Sequence, residues 1–161
     1  MLIEGKERYE INLPKEELKY EPIKLNAKKI KGEIAGGNLS LLAAMAGTPY
    51  AVDFKNKLAI VEDVGEKPYR IDRMLTQLRQ ASNLSKSCGI ALGDFSGCDS
   101  YKENSLTLDQ TLKGQLDFKN VPVGYRFPFG HTDNHCTLPI GINAELDIEN
   151  KKITLLENAV M

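Results

Sequence analysis

The sequence lacks the features that would tie it to a membrane or to a polyanion. None of its apolar runs approaches the roughly 18 residues that a membrane helix needs, and the first ten residues lack the apolar core of a signal peptide. The formal net charge is only −1, so charge gives no argument for nucleic acid or for an anionic membrane surface. We therefore expect a cytoplasmic protein with no nucleic-acid or membrane partner.

Cysteine and histidine are also scarce. The three cysteines, Cys88, Cys98 and Cys136, are odd in number and widely spaced, which argues against a disulfide framework and suits reduced thiols. The only two histidines, His131 and His135, lie in the stretch FPFGHTDNHC. Any histidine chemistry in this chain must therefore arise there.

The 161 residues are enough for one well-buried core, and a composition of 42% hydrophobic and 27% charged residues is ordinary for a globular domain. Residues 1–30 mix Lys, Glu and Pro and contain one alternating patch, Tyr9, Ile11 and Leu13, which predicts a single edge strand. We expect residues 1–30 to be an arm or interdomain linker and residues 31–161 to form the domain.

Strands and helices are predicted to alternate through this domain. GEIAGGNLSLLAAMAG predicts a short strand, a glycine turn, and a helix that Asn38 or Ser40 caps and that stops at Gly47. KLAIVED, CGIALGDF and VPVGYRF predict three further strands. Apolar residues at helical spacing predict one helix over Tyr69–Gln80 and another that Thr107 caps.

The chain closes with INAELDIENKKITLLE, which predicts an antiparallel hairpin around Asn150 and Lys151. Alternating strands and helices followed by a hairpin predict the α/β class, with a mixed sheet, flanking helices and a C-terminal hairpin.

The histidine stretch allows three interpretations. His131, Asp133, His135 and Cys136 include every ligand type of a zinc site, but the nearby prolines and Gly130 make the helix that usually presents such ligands improbable. The stretch could equally be a solvated turn whose polar side chains bond to their own backbone. In the third interpretation His131 follows a buried strand and serves as a general base.

A histidine base needs a carboxylate to orient it and a nucleophile to deprotonate. The strand KLAIVED ends in Glu62 and Asp63, at an edge where ligands of α/β folds often bind. These acids could instead cap a turn or pair with an arginine such as Arg73, and Arg73 could alternatively hold a substrate carboxylate. A nucleophile is harder to identify, because Ser96 is one place late for the G-x-S-x-G elbow. A pair of Cys98 with a histidine is chemically possible, although a small residue in a turn after a strand is the commoner explanation of Cys98.

Four segments in the same order resemble the C-terminal domain of the LD-carboxypeptidases, a serine peptidase family that includes the microcin C resistance peptidases. They are GGNLSLLAAMAGTPY, LAIVEDVGEKPYRIDRMLTQL, GIALGDFSGC and PVGYRFPFGHTDN followed by LPIG. The resemblance covers residues 31–161 and implies a swivelling β/β/α-type domain.

The resemblance also implies a bacterial cytoplasmic enzyme that removes terminal D-alanine from murein tetrapeptides during cell-wall recycling. Its Ser-His-Glu triad would take Glu62 and His131 from this domain and the serine from an N-terminal domain, with His135 a bystander. No metal or other cofactor is implied. Asp63, Arg73 and Asn38 are further candidates for orienting the triad or binding substrate.

The resemblance leaves other partners and functions open. It implies a homodimer as one possible assembly, the N-terminal nucleophile domain as a partner and the murein peptide as substrate. The alternatives are a microcin-type peptidase that acts on acyl nucleotide conjugates and a non-catalytic module that binds murein peptides. Without the serine we expect the isolated chain to be inactive.

Overall fold

A seven-stranded mixed sheet organises the protein in the computed structural model, which describes residues 9–12, 29–100, 104–133 and 135–159. The strands are β1 (Tyr9–Asn12), β2 (Lys29–Asn38), β3 (Lys57–Glu62), β4 (Gly89–Leu92), β5 (Val123–Gly124), β6 (Asn143–Asp147) and β7 (Lys152–Leu155). The α-helices of the described residues are α1 (Leu39–Met45), α2 (Pro68–Ala81) and α3 (Leu108–Gln115), and Leu84–Lys86 form a 3₁₀ turn.

The strand order is β1-β7-β6-β2-β3-β4-β5. From β2 to β5 neighbouring strands are parallel, whereas β1, β7 and β6 pair antiparallel and attach to β2 through β6. The predicted α/β class, mixed sheet and C-terminal hairpin are therefore confirmed. β1 confirms the predicted edge strand, although Leu13 lies outside the described residues. The assignment of residues 1–30 to an interdomain arm stays a prediction, and β2 begins just inside it.

Two apolar clusters cover the two faces of the sheet. In β3, Ala59 and Val61 belong to the cluster that contains the buried faces of all three helices, while Leu58 and Ile60 belong to the cluster on the opposite face. A parallel strand that is covered on both sides has a continuous apolar run, which is why residues 58–61 of β3, between Lys57 and Glu62, are all apolar. Among the described residues, no helix is long and apolar enough to span a membrane.

The helices follow the predicted patterns closely. On α2, Ile71, Met74, Leu75 and Leu78 are all buried, as their helical spacing predicts. Asn38 caps α1 by accepting a hydrogen bond from Leu41 N at 3.2 Å. Thr107 caps α3 in a reciprocal capping box with Gln110.

The predicted glycine turn before α1 is wrong. Gly36 and Gly37 continue β2, with φ of +136° and +142°, and pair with Ile60 and Val61 of β3. A β-carbon at residue 36 would stand 1.9 Å from Ile60 O, so glycine at this position permits close strand contact and not a reversal of the chain. The strand predicted over VPVGYRF is shorter than expected, since β5 is confined to Val123–Gly124.

Candidate active site

The parallel strands deliver two carboxylates to one edge of the sheet. Glu62 is the last residue of β3, and its side chain is only 10% exposed. Asp63 follows directly and is 3% exposed. The main chain of the next strand supports this edge, because Asp63 N donates a hydrogen bond to Asp94 O at 3.2 Å.

The segment FPFG brings His131 to this edge. Phe127 and Phe129 are buried, and their rings stack with centroids 6.5 Å apart. Phe127 N donates to Leu92 O at 2.9 Å, and Asp94 N donates to Phe129 O at the same distance. The aromatic side chains and the backbone bonds to β4 together fix the chain immediately before the histidine.

His131 and Glu62 form a direct hydrogen bond, with 2.7 Å between Nδ1 and Oε2. An ionised carboxylate only accepts hydrogen bonds, so Nδ1 carries the proton and Nε2 is the basic nitrogen of the neutral ring. The His131 side chain is 53% exposed, and Nε2 has no hydrogen-bond partner within the described part of the chain. The buried Glu62 carboxylate therefore holds the His131 ring by Nδ1, and the basic Nε2 of the ring faces solvent.

Electrostatics at this edge favour the protonated imidazole. The hydrogen bond and charge of Glu62 raise the pKa of His131 above its usual 6.5, with smaller contributions from Asp63 and Asp94. Asp94, two residues beyond the end of β4, is a contributor that the sequence interpretation missed. The signal was available, since Asp94 follows a buried strand as Asp63 does.

Asp63 has a different role from Glu62. Its carboxylate accepts hydrogen bonds from Asn38 Nδ2 at 3.3 Å, Ser40 N at 3.0 Å, Ser40 Oγ at 2.8 Å and Val64 N at 2.8 Å. These bonds join the end of β3 to the start of α1. The buried Asp63 and the half-buried Asn38 therefore lie beside the pair as a support, and Ser40 is a third member that the sequence suggested only as a cap.

Arg73 lies apart from this cluster. It is exposed on α2 and makes no hydrogen bond or ion pair with any other described residue. The structure therefore brings together four of the five candidate residues, Glu62, His131, Asp63 and Asn38, and leaves Arg73 outside.

The remaining polar residues of the histidine stretch do not join the pair. His135 Nδ1 donates a hydrogen bond to Thr132 O at 3.2 Å, as expected for a turn whose side chains bond to its own backbone. Within the residues that the structure describes, no three His, Cys, Asp or Glu side chains come together as ligands for a metal ion. The zinc interpretation of the stretch therefore has no ligand set there.

Cys98 is poorly suited to be the nucleophile that His131 would deprotonate. Its thiol is fully buried, and its weak hydrogen bonds reach Asp63 O and Ser96 O at 3.7 Å each. Burial raises the pKa of Cys98 to about 11, which opposes thiolate formation. Ser96 is exposed, but neither residue contacts His131 among the described contacts.

Comparison with known proteins gives a consistent family. Residues 31–146 match the profile of the LD-carboxypeptidase C-terminal domain. The "Probable murein peptide carboxypeptidase" of Bacillus subtilis is 40% identical over 124 residues, which are 76% of this chain and 39% of that protein. The chain thus spans about two fifths of the length of the curated relatives it matches.

Solved structures that resemble this chain belong to the same family. The muramoyltetrapeptide carboxypeptidase from Oxalobacter formigenes is 35% identical with a TM-score of 0.72, and the match covers 92% of this chain and 48% of that one. A structure of MccF in complex with glutamyl sulfamoyl guanosine is 26% identical with a TM-score of 0.74, covering 84% of this chain and 41% of that one.

Proposed function

Because the chain belongs to the LD-carboxypeptidase family and covers its C-terminal domain, we propose that it supplies the histidine base and the orienting carboxylate of a serine carboxypeptidase. His131 is the general base and Glu62 is the residue that orients it. The serine nucleophile comes from a separate N-terminal domain. The observation that carries this proposal is the 2.7 Å contact between His131 Nδ1 and Glu62 Oε2, which leaves Nε2 open to solvent.

In the first half of this reaction His131 accepts a proton and then donates it. Nε2 takes the proton of the serine hydroxyl as the serine oxygen attacks the scissile carbonyl, and then gives it to the departing amine. Water hydrolyses the resulting ester by the same route, which regenerates the serine. Glu62 stays ionised and stabilises the imidazolium that forms after each proton transfer, and its hydrogen bond already favours that protonated ring.

The substrate we propose is a murein tetrapeptide, from which the enzyme releases terminal D-alanine in peptidoglycan recycling in a bacterial cytoplasm. The names of the Bacillus and Oxalobacter relatives, which share 40% and 35% of their aligned residues with this chain, support this choice. The MccF complex, at 26% identity, supports an aminoacyl sulfamoyl nucleoside as the second candidate. The remaining proposals are a homodimer and a non-catalytic role in binding murein peptides.

The decisive experiment measures D-alanine release from a purified murein tetrapeptide, first with this chain alone and then with a serine-bearing N-terminal domain added. We expect no release by the chain alone and release after complementation. Cleavage of an aminoacyl sulfamoyl nucleoside but not of the tetrapeptide would favour the second candidate. Release by the chain alone would overturn the division of the triad, and Ser96→Ala and Cys98→Ala would then test for an internal nucleophile.

A further inference from the structure

One edge of β2 is paired along only part of its length. β6 pairs with Lys29–Glu33, and just beyond this ladder Ile34 N donates to Ile142 O at 2.8 Å while Gly141 N donates to Ile34 O at 2.9 Å. Past Ile34, no backbone group in the described ranges bonds to this side of β2. Among the residues that the structure describes, the last part of β2 therefore has β3 on one side and an edge without a neighbouring strand, here called the open edge, on the other.

The backbone groups at this open edge belong to Gly36. Successive residues of a strand direct their N–H and C=O groups to opposite neighbours. Since Ile34 bonds on the side of β6, Gly36 faces the same way, and Gly37 faces β3. Gly36 therefore offers one donor and one acceptor in the spacing that an added strand uses.

The glycines bring no side chain of their own to this part of the strand. Gly36 and Gly37 leave the backbone bare, and a β-carbon built at residue 37 would find no atom within 4 Å. The neighbouring Ile140 is 56% exposed and precedes the Gly141 that closes the paired part of the edge. An extended chain laid beside Gly36 would thus meet free backbone groups with an apolar side chain at its flank.

The open edge lies beside the candidate active site. Asn38, two residues beyond Gly36, is in register with Glu62, which holds His131. Two residues of strand span roughly 7 Å, and a neighbouring strand lies about 5 Å away. The chain that leaves His131 also returns to this edge at Gly141. A residue or two of extended peptide at Gly36 is therefore enough to reach the level of the His131 imidazole.

We propose that the open edge at Gly36 binds the backbone of the peptide substrate by strand addition. One substrate residue exchanges two hydrogen bonds with Gly36 N–H and C=O, which sets the register of the scissile amide against His131. A backbone donor and acceptor recognise any peptide amide, whatever its side chain. The identity of the bound peptide in this inference therefore rests on the proposed function. It assigns to Gly36 a positioning role that does not involve the reacting atoms.

The test follows hydrogen exchange of individual amides by NMR in the 161-residue chain. Murein tetrapeptide is added at about ten times its measured Kd, where exchange of an amide covered by the peptide slows about tenfold. We expect this slowing at Gly36 and no change at Gly37, whose amide is the internal control because it faces β3. Free D-alanine is the control ligand, and it should leave Gly36 unchanged because it has no extended backbone.

The other outcomes overturn the proposal. If tetrapeptide shifts the signals of His131 and Asn38 without slowing Gly36, the peptide binds at the site but not at this edge, and the proposed function stands. If no signal shifts with peptide in millimolar excess, strand addition is also rejected, because the edge is complete in this chain. The proposed function would then be tested separately, by measuring release of D-alanine after the serine-bearing domain is added.

Discussion

Gly130 and Glu62 are in such close contact that a β-carbon at residue 130 would stand 2.8 Å from Glu62 Oε2 and 2.9 Å from Glu62 Cβ. Gly130 also has φ of +104°, which side-chain-bearing residues rarely adopt. The glycine before the histidine therefore does two things at once. It turns the chain toward the edge of the sheet and leaves the room in which His131 reaches the carboxylate.

This contact predicts that Gly130→Ala separates Glu62 from His131. Gly47→Ala is the matched control, because Gly47 has φ of +87° but no atom within 4 Å of its β-carbon position. Both variants should lose about 1–3 kcal/mol of stability from backbone strain. In an NMR titration of the ring protons, only Gly130→Ala should lower the pKa of His131 toward 6.5. Equal pKa values of His131 in the two variants would contradict the steric argument.

A second prediction concerns the pH response of the pair. The folded-state pKa of His131 is raised by its hydrogen bond to Glu62, so the stability this bond contributes is fully present below pH 6.5 and is lost as pH rises through the folded pKa. Glu62→Gln should lower that pKa. NMR titration measures this directly, since the sequence has two histidines and His135→Ala assigns their signals. An unchanged pKa of His131 in Glu62→Gln would show that the bond is not formed in solution.

The same shift affects catalysis in the complemented enzyme. His131 acts as a base only when it is neutral, so the acidic limb of kcat/KM should lie above pH 6.5 and move to lower pH in Glu62→Gln. His131→Ala should lower kcat by about 10⁴-fold or more, as removal of a triad base does in other serine hydrolases. His135→Ala is the matched control and should keep near-normal turnover, because His135 bonds to its own turn. Loss of activity in His135→Ala would show that it is not a bystander.

The sequence predicted the helices and most strands because their signals are local. The apolar face of α2 and the caps at Asn38 and Thr107 depend on neighbours three or four residues away. Local reasoning mistook the pair Gly36 and Gly37 for a turn, because the steric constraint that requires glycine at residue 36 comes from another strand. Ile60 O on the adjacent strand excludes a β-carbon at residue 36, and that contact exists only after β2 and β3 pair.

The candidate site also has a part that local sequence signals predict and a part that depends on contacts between distant residues. Glu62 and His131 could be proposed from strand ends and from resemblance, but their 2.7 Å contact joins residues 69 positions apart and depends on the buried FPFG segment. The support around Asp63 was only partly predictable, because Ser40 was recognised as a cap and not as a donor to a distant carboxylate. Arg73 is a candidate because it lies within the resembling segments and could bind a substrate carboxylate, but the orientation of α2 leaves its side chain in solvent.

A fourth prediction tests the support around Asp63. Asp63→Asn replaces one carboxylate oxygen by an amide NH₂, which cannot accept a hydrogen bond and would face backbone N–H groups of Ser40 or Val64. Leaving such a donor unsatisfied should cost about 1–3 kcal/mol of unfolding free energy in urea denaturation. Asp133→Asn, at an exposed carboxylate, should change stability little. Equal effects of the two variants would reject the supporting role of Asp63.

The last prediction concerns Lys151, at the turn between β6 and β7. Lys151 is 8% exposed, and its Nζ has no hydrogen-bond partner among the described residues. Burial lowers the pKa of Lys151, and the nearby Arg126 lowers it further. A buried ammonium without a partner opposes folding, so Lys151→Met should stabilise the chain by about 1 kcal/mol at neutral pH.

The pH dependence of this gain separates charge from packing. Since the folded-state pKa of Lys151 is below 10.5, its penalty is complete at pH values below the folded pKa and disappears as pH rises toward 10.5. The advantage of Lys151→Met over wild type should therefore shrink in urea denaturation at high pH, while the exposed control Lys55→Met stays near wild type throughout. A gain that persists unchanged at high pH would mean that methionine packs better and that the buried charge costs little.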